Sequence, residues 1–280
     1  MARSYLFIPG NVPRMLQTMD VFEADALIID FEDAVDPGDK DEARHLTRAF
    51  LRSHSVEPPL YVRINTDPEM MKRDMAFLEG LNIDGIVLPK ASPQTLEAFD
   101  ALKVPMPIIA LVETPGAFFD LPAIASRSDV RALFLGGEDL TRALGATRTL
   151  SGESILFARS QIILAAAAYG IDAIDTPLAS TQSDSVHADS QTAQALGFDA
   201  KAAIHPNQVP LINKALSPSP QAIERAQRIV TMHDQTGKTR FSLDGEMVDT
   251  PIISRARDLI ARAKRYGLLK EDAYAKSHTE

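Results

Sequence analysis

The sequence predicts an α/β fold, a (β/α)8 TIM barrel with a C-terminal helical extension. Three observations favour this fold: eight short apolar runs end in polar or turn residues, helical segments separate the runs, and three of the runs lead into segments that carry carboxylates. Short runs that are apolar throughout are typical of parallel strands buried on both faces. Eight strand–helix units in 280 residues favour a closed barrel over an open doubly wound sheet.

The predicted strands are spread over the first three quarters of the chain. They cover residues 5–8, 26–29, 60–62, 85–88, 108–112, 132–135, 171–174 and 201–204. No glycine-rich phosphate-binding motif follows any of them, which disfavours a nucleotide-binding sheet.

Helical signals lie between the strands. Asn11-Val12-Pro13 is typical of a helix cap with an early proline, and apolar residues follow it at helical spacing. The alanine-rich segment 153–169 is predicted to be a long helix that ends at Gly170. Further helices are predicted near 92–102, at 189–196 and at 207–216.

The pattern changes after the eighth unit, where Ser217-Pro218-Ser219-Pro220 interrupts the chain. Two more helices are predicted at 221–233 and 252–266, with a glycine-bearing stretch at 237–249 between them, and residues 273–280 are expected to fray. We therefore predict a barrel over residues 1–216 and a helical extension or lid over residues 217–280, within the same domain.

The composition indicates an ordinary globular protein, with 45% hydrophobic and 24% charged residues. The net charge of −9 argues against nucleic acid or an anionic membrane as a partner. The absence of cysteine excludes disulfides and thiolate chemistry and fits a reducing compartment. The apolar run at the start is too short for a signal peptide, and no run is long enough to span a membrane. We therefore expect a cytoplasmic protein.

Two acids follow neighbouring predicted strands. Glu113 comes after the fifth strand and Asp139 after the sixth, at the barrel end where such enzymes keep their chemistry. Two carboxylates are the usual minimal protein contribution to a Mg²⁺ site, because water and substrate oxygens complete the octahedron. Acids at these positions also suit helix capping, so spacing alone leaves both interpretations open.

A second acidic cluster, Asp30, Glu32 and Asp33, follows the second strand. Glu32 and Asp33 are candidates to accept hydrogen bonds from metal-bound water and so to orient the site from outside the coordination sphere. Arg63 ends the third strand and is a candidate to bind a substrate carboxylate or to stabilise an enolate oxygen. An ion pair between Arg63 and one of these acids is the alternative, and both roles are compatible.

Lys90 and His205 also follow predicted strands. A lysine in a barrel mouth is consistent with a Schiff-base aldolase, but nothing in the sequence indicates a depressed pKa, and the role of carboxylate partner is favoured. His205 is a candidate base, ligand or structural residue and ranks below the acids.

Ordered motifs run almost from end to end of the chain. They are Arg3-Ser4-Tyr5-Leu6-Phe7-Ile8-Pro9-Gly10, Asp30-Phe31-Glu32-Asp33-Ala34-Val35, Val62-Arg63-Ile64-Asn65, Pro89-Lys90, Leu111-Val112-Glu113-Thr114, Gly136-Gly137-Glu138-Asp139-Leu140, Lys201-Ala202-Ala203-Ile204-His205-Pro206-Asn207-Gln208 and Gly245-Glu246-Met247-Val248-Asp249-Thr250-Pro251. Together they resemble the citrate lyase beta subunit family, within the HpcH/HpaI aldolase/citrate lyase superfamily. Phe31 stands where leucine is usual and Ile64 where valine is common, and neither departure touches the candidate chemistry.

The resemblance implies a Mg²⁺-binding barrel that cleaves or forms a carbon–carbon bond beside an acyl thioester, such as citryl-, malyl- or citramalyl-CoA, or the same acyl groups on an acyl carrier protein. It implies that Glu113 and Asp139 hold the metal, that Glu113 and Arg63 contact the substrate, and that Asp249 is the catalytic acid/base beside Arg63. In relatives the segment around Asp249 closes over the site of a neighbouring subunit, so a homotrimer or larger homo-oligomer is implied. Arg14 and Lys90 are weak candidates to hold the CoA nucleotide.

Two other functions remain open at the level of sequence. The first is a metal-dependent pyruvate-type aldolase of the same superfamily that acts on free hydroxy-oxo acids. The second is a non-catalytic subunit that binds CoA or an acyl carrier protein. The C-terminal Met-x-Asp-x-Pro segment favours a thioester enzyme over the first, and the polar residues at the strand ends argue against the second.

Overall fold

The computed structural model describes residues 2–269. Eight parallel strands close into a barrel, in which each strand pairs with the next and the eighth pairs with the first. The strands are β1 (Ser4–Pro9), β2 (Ala26–Asp30), β3 (Leu60–Arg63), β4 (Gly85–Leu88), β5 (Ile108–Val112), β6 (Val130–Leu135), β7 (Asp172–Asp175) and β8 (Ala200–Ala203). The predicted (β/α)8 barrel is confirmed, and each strand overlaps its predicted run.

Three aspartates, each just before a strand, form hydrogen bonds with the start of the neighbouring strand that comes earlier in the chain. In every case the carboxylate accepts a hydrogen bond from a backbone N–H at or next to the start of the neighbouring strand, with donor–acceptor distances of 2.8 to 2.9 Å. The pairs are Asp25 with Arg3, Asp84 with Leu60, and Asp199 with Ala173. These contacts satisfy N–H groups at the amino end of the barrel and set the strand register.

The barrel has an apolar filling and an apolar outer layer. Inside, Phe7 and Phe134 face each other with ring centroids 5.9 Å apart, and Ile28, Val87 and Ile174 belong to the same buried cluster. Outside, a larger cluster joins the strands to the surrounding helices. Because most strand residues are buried, the strand sequences are mainly apolar rather than alternating, and the charged exceptions include Asp175 in β7 and Lys201 in β8.

Among the described residues of the first part of the chain, nine α-helices surround the barrel. They are α1 (Pro13–Thr18), α2 (Lys40–Ser53), α3 (Pro68–Leu78), α4 (Pro93–Asp100), α5 (Leu121–Ala125), α6 (Gly137–Leu144), α7 (Leu156–Tyr169), α8 (Ser183–Leu196) and α9 (Val209–Leu216). The predicted helix at 153–169 begins with a short 3-10 turn, Glu153–Ile155, and α8 begins six residues before its predicted start at 189. The residues before 189 include serines and an aspartate, which are poor helix formers by propensity, so the packing of α8 decides its length.

A buried network of four charges ties the last two strands to their helices. Arg159 contacts Asp175 and Asp189 at 2.8 and 2.7 Å, and Lys201 contacts both carboxylates at 2.7 Å. All four side chains are almost completely buried. Two cations matched to two anions offset the cost of removing these groups from water.

The chain divides into two compact units, the first ending at Leu216 and the second beginning at Ser217. The second unit contains α10 (Pro220–Thr236), β9 (Phe241–Leu243), β10 (Glu246–Val248) and α11 (Thr250–Arg265), with its own apolar cluster. The glycine-bearing stretch at 237–249, for which the sequence predicted no strand, contains an antiparallel hairpin of β9 and β10. Its turn, Asp244-Gly245, has positive φ at both residues (53° and 82°), as a tight hairpin turn requires. Residues 273–280, expected to fray, lie outside the described residues.

Among residues 2–269, no helix combines the length and the apolar character needed to cross a membrane.

Candidate active site

A pocket of about 260 Å³ opens at the carboxyl ends of the barrel strands. The pocket is lined by residues at the strand ends and in the loops that follow them, and these include most of the site residues predicted from sequence. Among the lining residues are Phe7, Asp30, Asp33, Arg63, Glu113, Glu138, Asp139, Thr176 and Ile204. The closed barrel brings together side chains that lie more than a hundred residues apart in sequence, because all parallel strands end at the same rim.

Glu113 follows β5 and is almost completely buried, with 3% of its surface exposed. Its Oε1 accepts a hydrogen bond of 2.8 Å from the backbone N–H of Lys90. Gly136 leaves room for the side chain, since a Cβ at that position would lie 2.4 Å from the Cβ of Glu113 and 2.6 Å from its Oε2. The carboxylate therefore occupies a space that any other residue at 136 would fill.

Gly137 makes a similar close approach at the first position of α6. A Cβ there would lie 2.9 Å from Oγ1 of Thr176, and the backbone N–H of Gly137 donates to that hydroxyl at 3.0 Å. Lys201 in turn donates to the backbone oxygen of Thr176 at 2.6 Å. The start of α6 is thus anchored to the buried charge network, which holds the helix that carries Asp139.

Asp139 lies in the first turn of α6, where the helix dipole favours negative charge. Its carboxylate pairs with Arg142, whose side chain is 79% exposed. An exposed partner of this kind is a weak competitor for a carboxylate, because solvent screens the pair. Asp139 remains open to the pocket and is suited to a second charged ligand.

Burial and neighbouring negative charge raise the pKa of Glu113 to about 8. Burial is the largest cause, the charges of Glu32 and Asp139 act in the same direction, and the backbone hydrogen bond from Lys90 opposes them. Carboxylates crowded in this way are stabilised by a cation, and hard oxygen donors suit Mg²⁺. Among the described residues, no group of three or more histidine, cysteine, aspartate or glutamate side chains is arranged as a complete metal site. Glu113 and Asp139 therefore fit a cation whose remaining ligands come from water and substrate.

Arg63 forms a two-point ion pair with Asp30, in which Nε lies 2.8 Å from Oδ1. Its Nη1 lies 3.1 Å from Glu32 and 3.9 Å from Asp33. The guanidinium carbon stacks 4.9 Å from the ring centroid of Phe7. Both predicted roles of Arg63 are compatible with this arrangement, since the ion pair leaves N–H groups on Nη1 and Nη2 for a ligand in the pocket.

Arg63 remains protonated and positively charged in this site. Burial acts to lower the pKa of Arg63, but the hydrogen bond and the negative charge of Asp30 outweigh it and raise the pKa overall. The side chain is only 11% exposed, so its orientation is held by packing as well as by charge. Arg63 is therefore a fixed cation at the wall of the pocket.

Lys90 is the carboxylate partner that the sequence favoured. Its ammonium pairs with Oε1 of Glu32. Burial acts to lower the pKa of Lys90, but the hydrogen bond to Glu32 and the surrounding acids raise it overall, which disfavours a neutral, Schiff-base-forming amine. Burial also raises the pKa of Glu32, against the opposing effect of Arg63 and Lys90.

The remaining predicted residues have different surroundings. Asp33 is 58% exposed at the pocket wall. The exposed His205 accepts a hydrogen bond from the N–H of Asn207 at 3.1 Å and so begins a 3-10 turn, which supports a structural role. Asp249 belongs to the second unit, where its carboxylate caps α11 by accepting from the N–H of Ile252 at 3.3 Å.

Sequence reasoning did not assign roles to Gly136, Gly137 and Thr176. The signal for the glycines was present, because a Gly-Gly pair at a strand end directly before two acids indicates a close approach of backbone to another group. Nothing in the local sequence distinguishes Thr176 from other threonines, because its partner lies 39 residues away.

Comparison with known proteins identifies the chain as a carbon–carbon lyase. Residues 156–268 match the model of carbon–carbon bond lyases of the TIM-barrel fold, in agreement with the barrel and its acidic mouth. The chain belongs to the HpcH/HpaI aldolase/citrate lyase family, whose model matches residues 3–206.

Individual relatives cover almost the whole chain. The citrate lyase subunit beta of Leuconostoc mesenteroides subsp. cremoris is 32% identical over 96% of this chain and 96% of its own length. The mitochondrial citramalyl-CoA lyase of Rattus norvegicus is 28% identical over 93% of this chain and 86% of its own length. A crystal structure of CitE from Mycobacterium tuberculosis in complex with magnesium, acetoacetate and coenzyme A has a TM-score of 0.81 at 29% identity, covering 94% of this chain and 98% of that one.

Proposed function

We propose that this protein is a Mg²⁺-dependent carbon–carbon lyase that cleaves, or in reverse forms, a 3-hydroxyacyl thioester such as citryl-, malyl- or citramalyl-CoA. The products are an acetyl thioester and a 2-oxo acid, and the carrier is CoA or an acyl carrier protein. The single observation that carries the proposal is the pocket in which buried Glu113, Asp139 and the fixed cation of Arg63 meet. Relatives named for citrate and citramalyl-CoA, and a relative with bound magnesium and coenzyme A, support the same reaction class.

Glu113 and Asp139 hold the metal in this proposal. Their oxygens lie at the ends of β5 and at the start of α6, and the other acids nearby give the site the negative charge that a divalent cation offsets. When bound, Mg²⁺ supplies Lewis-acid stabilisation of the oxygen that becomes the carbonyl of the 2-oxo acid. Glu113 would also contact the substrate, and Glu32 and Asp33 would be placed to orient water around the metal when it is bound.

Arg63 stabilises the charge that develops on the thioester. Cleavage of the carbon–carbon bond leaves its electron pair on the acetyl fragment as an enolate, and the N–H groups of Arg63 that Asp30 does not occupy are available to the enolate oxygen. Because Asp30 and Phe7 fix the guanidinium before substrate arrives, little reorganisation is needed.

Asp249 delivers a proton to the enolate carbon to complete cleavage, which balances the proton that the 3-hydroxyl of the substrate loses as it becomes the carbonyl, or it removes the carbon-bound proton in the direction of condensation. This assignment rests on the resemblance of the segment Gly245-Glu246-Met247-Val248-Asp249-Thr250-Pro251 to the acid/base segment of related lyases. Residues 217–280 then act as a lid. We further propose a homotrimer or larger homo-oligomer, with the lid of one subunit serving a neighbour, and a cytoplasmic site of action.

The experiment that tests the proposal is a panel of thioesters assayed with and without Mg²⁺. We expect turnover of at least one of citryl-, malyl- and citramalyl-CoA that chelator abolishes and Mg²⁺ restores. Turnover of a free 4-hydroxy-2-oxo acid in place of every thioester would instead identify a pyruvate-type aldolase. Calorimetric binding of CoA without any turnover would identify a non-catalytic binding subunit.

A further inference from the structure

Lys40 is a buried cation that the proposed mechanism does not use. It is the first residue of α2, and only 9% of its surface is exposed. Its ammonium donates hydrogen bonds to the backbone oxygens of Phe31 at 2.7 Å and of Glu32 at 2.6 Å. No ion pair of the described residues includes Lys40, and it is not among the residues that line the pocket. The side chain therefore binds the backbone of a neighbouring segment.

That segment begins at the end of β2 and carries three acids, and we call residues 30–35 the acidic turn. The carboxylate of Asp30 accepts from the N–H groups of Glu32 and Ala34 at 2.8 and 3.1 Å. Lys40 donates to two C=O groups of the same turn. An anion thus holds the donors of the acidic turn and a cation holds its acceptors, and charged partners form stronger hydrogen bonds than neutral ones.

The hydrogen bonding of these two C=O groups is complete. The oxygen of Phe31 also accepts from Nδ2 of Asn65 at 3.0 Å. The oxygen of Glu32 also accepts from the N–H of Val35 at 3.0 Å. Asn65 is itself held by the fully buried Asp74, which accepts from its backbone N–H and its Nδ2, both at 2.8 Å. A buried polar network in which every member is bonded favours a single arrangement.

The shape of the acidic turn determines two contacts at the pocket. Oε2 of Glu32 lies 3.1 Å from Nη1 of Arg63, and Asp33 lines the pocket 3.9 Å from the same nitrogen. Asp30 is the last residue of β2, so its ion pair with Arg63 does not depend on Lys40. Lys40 therefore acts on the acids that follow Asp30, while Asp30 keeps the arginine in place.

We propose that Lys40 is a positioning residue whose ammonium holds the acidic turn in the shape that places Glu32 against Arg63 and Asp33 at the pocket wall. The effect on turnover rests on the proposed function. Acids that are in place before substrate arrives need not be ordered again in each catalytic cycle. The candidate metal ligands follow β5 and lie in α6, outside the acidic turn, so the loss of Lys40 should separate turnover from metal binding.

The test compares kinetics, metal binding and amide exchange in Lys40→Met, which keeps most of the length of the side chain and removes its donors. We expect kcat with the best thioester to fall about tenfold. Mg²⁺ affinity measured by calorimetry should stay within about twofold, because the ligands keep their places. Hydrogen–deuterium exchange in peptides covering residues 30–35 should become about tenfold faster, while peptides covering β5 exchange as before. Lys40→Gln, a milder change that keeps an N–H donor at a shorter reach, should show the same pattern with smaller effects.

Arg48 provides a matched control on the same helix. It lies two turns further along α2, and it too donates to backbone oxygens, those of Ala76 and Phe77. Arg48→Met removes the same charge and the same kind of bond but should leave kcat and the exchange of residues 30–35 unchanged. An unchanged kcat in Lys40→Met, an equal loss in Arg48→Met, or a loss of Mg²⁺ affinity as large as the loss of kcat would each overturn the inference.

The proposed function fails separately, because amide exchange needs no substrate. If the unaltered protein turns over no thioester, the proposed function is wrong, and faster exchange of residues 30–35 in Lys40→Met would still support the hold of Lys40 on the acidic turn. If the unaltered protein turns over a thioester and Lys40→Met matches it in kcat and in exchange, only the role of Lys40 is wrong.

Discussion

Arg63 and Asp30 are paired residues of adjacent strands, and their side chains form a two-point ion pair at the mouth of the barrel. The strand register places the two residues side by side, at the last positions of β3 and β2. Asp30 is almost completely buried and also accepts backbone hydrogen bonds from Glu32 and Ala34. One carboxylate thus organises both the arginine and the loop that carries the other acids.

Replacement of this carboxylate should therefore impair turnover. We expect Asp30→Asn to lower kcat/KM about 10²-fold, because Arg63 loses the partner that fixes it for the enolate oxygen. The measurement is steady-state kinetics with the best thioester of the panel. Asp25→Asn is the control, since Asp25 forms a comparable two-point ion pair with Arg3 and does not line the pocket. A loss in Asp30→Asn no larger than in Asp25→Asn would contradict the role of Asp30.

Gly136 should be required for metal binding. In Gly136→Ala, the new Cβ would lie 2.4 Å from the Cβ of Glu113, so the carboxylate must move. We expect Mg²⁺ affinity measured by calorimetry to fall by about tenfold or more, since metal sites depend on ligand placement. Gly116→Ala is the matched control, because a Cβ there meets nothing within 4 Å. Normal metal binding in Gly136→Ala would show that Glu113 is not a ligand in this position.

A pair of variants distinguishes the proposed role of Glu113 in metal binding from the proposed role of Asp249 in proton transfer. Glu113→Gln should lose both metal binding and turnover, whereas Asp249→Asn should lose turnover and keep metal binding. Calorimetry and steady-state kinetics on the same samples distinguish the two effects. Because Asp249 caps α11, a thermal melt of Asp249→Asn serves as the folding control. Normal turnover in Asp249→Asn would exclude it as the acid/base.

The affinity for Mg²⁺ should depend on pH through Glu113. The pKa of this carboxyl is raised from 4.5 to about 8, so the metal must displace a proton below that pH. Affinity should therefore increase as pH rises toward about 8, and calorimetry in buffers of different ionisation enthalpy should detect proton release. In the metal-free protein, the free energy of unfolding should change in the opposite direction and decrease as pH rises. A raised folded-state pKa contributes stability at low pH that is lost as pH rises from 4.5 through about 8. A pH dependence of metal-free stability that survives in Glu113→Gln would assign it to another group.

The buried charge network of Arg159, Asp175, Asp189 and Lys201 should contribute strongly to the stability of the barrel. Arg159→Met leaves Asp175 and Asp189 with one cation between them, and we expect a loss of about 3–5 kcal/mol in the free energy of unfolding measured in urea. Arg73→Met is the control, because the pair of Arg73 with Asp41 is about half exposed and should contribute less than about 1 kcal/mol. Equal effects of the two variants would show that the network adds no more than a surface pair.

Particular elements explain where sequence reasoning succeeded and where it did not. The eight strands were predictable because most of their residues are buried in the closed barrel, and such burial favours short, mainly apolar runs. The hairpin of the second unit was missed although Asp244-Gly245 is a strong turn signal, because its strands have only three residues each and little apolar pattern.

By itself, the sequence determined the barrel and the set of acids at its mouth, since strand order and strand ends follow from the linear pattern of apolar and polar residues. Only the tertiary structure decided which acid pairs with which cation: Asp30 with Arg63, Glu32 with Lys90, and Asp175 with Arg159 and Lys201. These partners come from different strands and helices. Their pairing depends on register around the closed barrel and on the space that glycines such as Gly136 leave for a neighbour, and neither is written in local sequence.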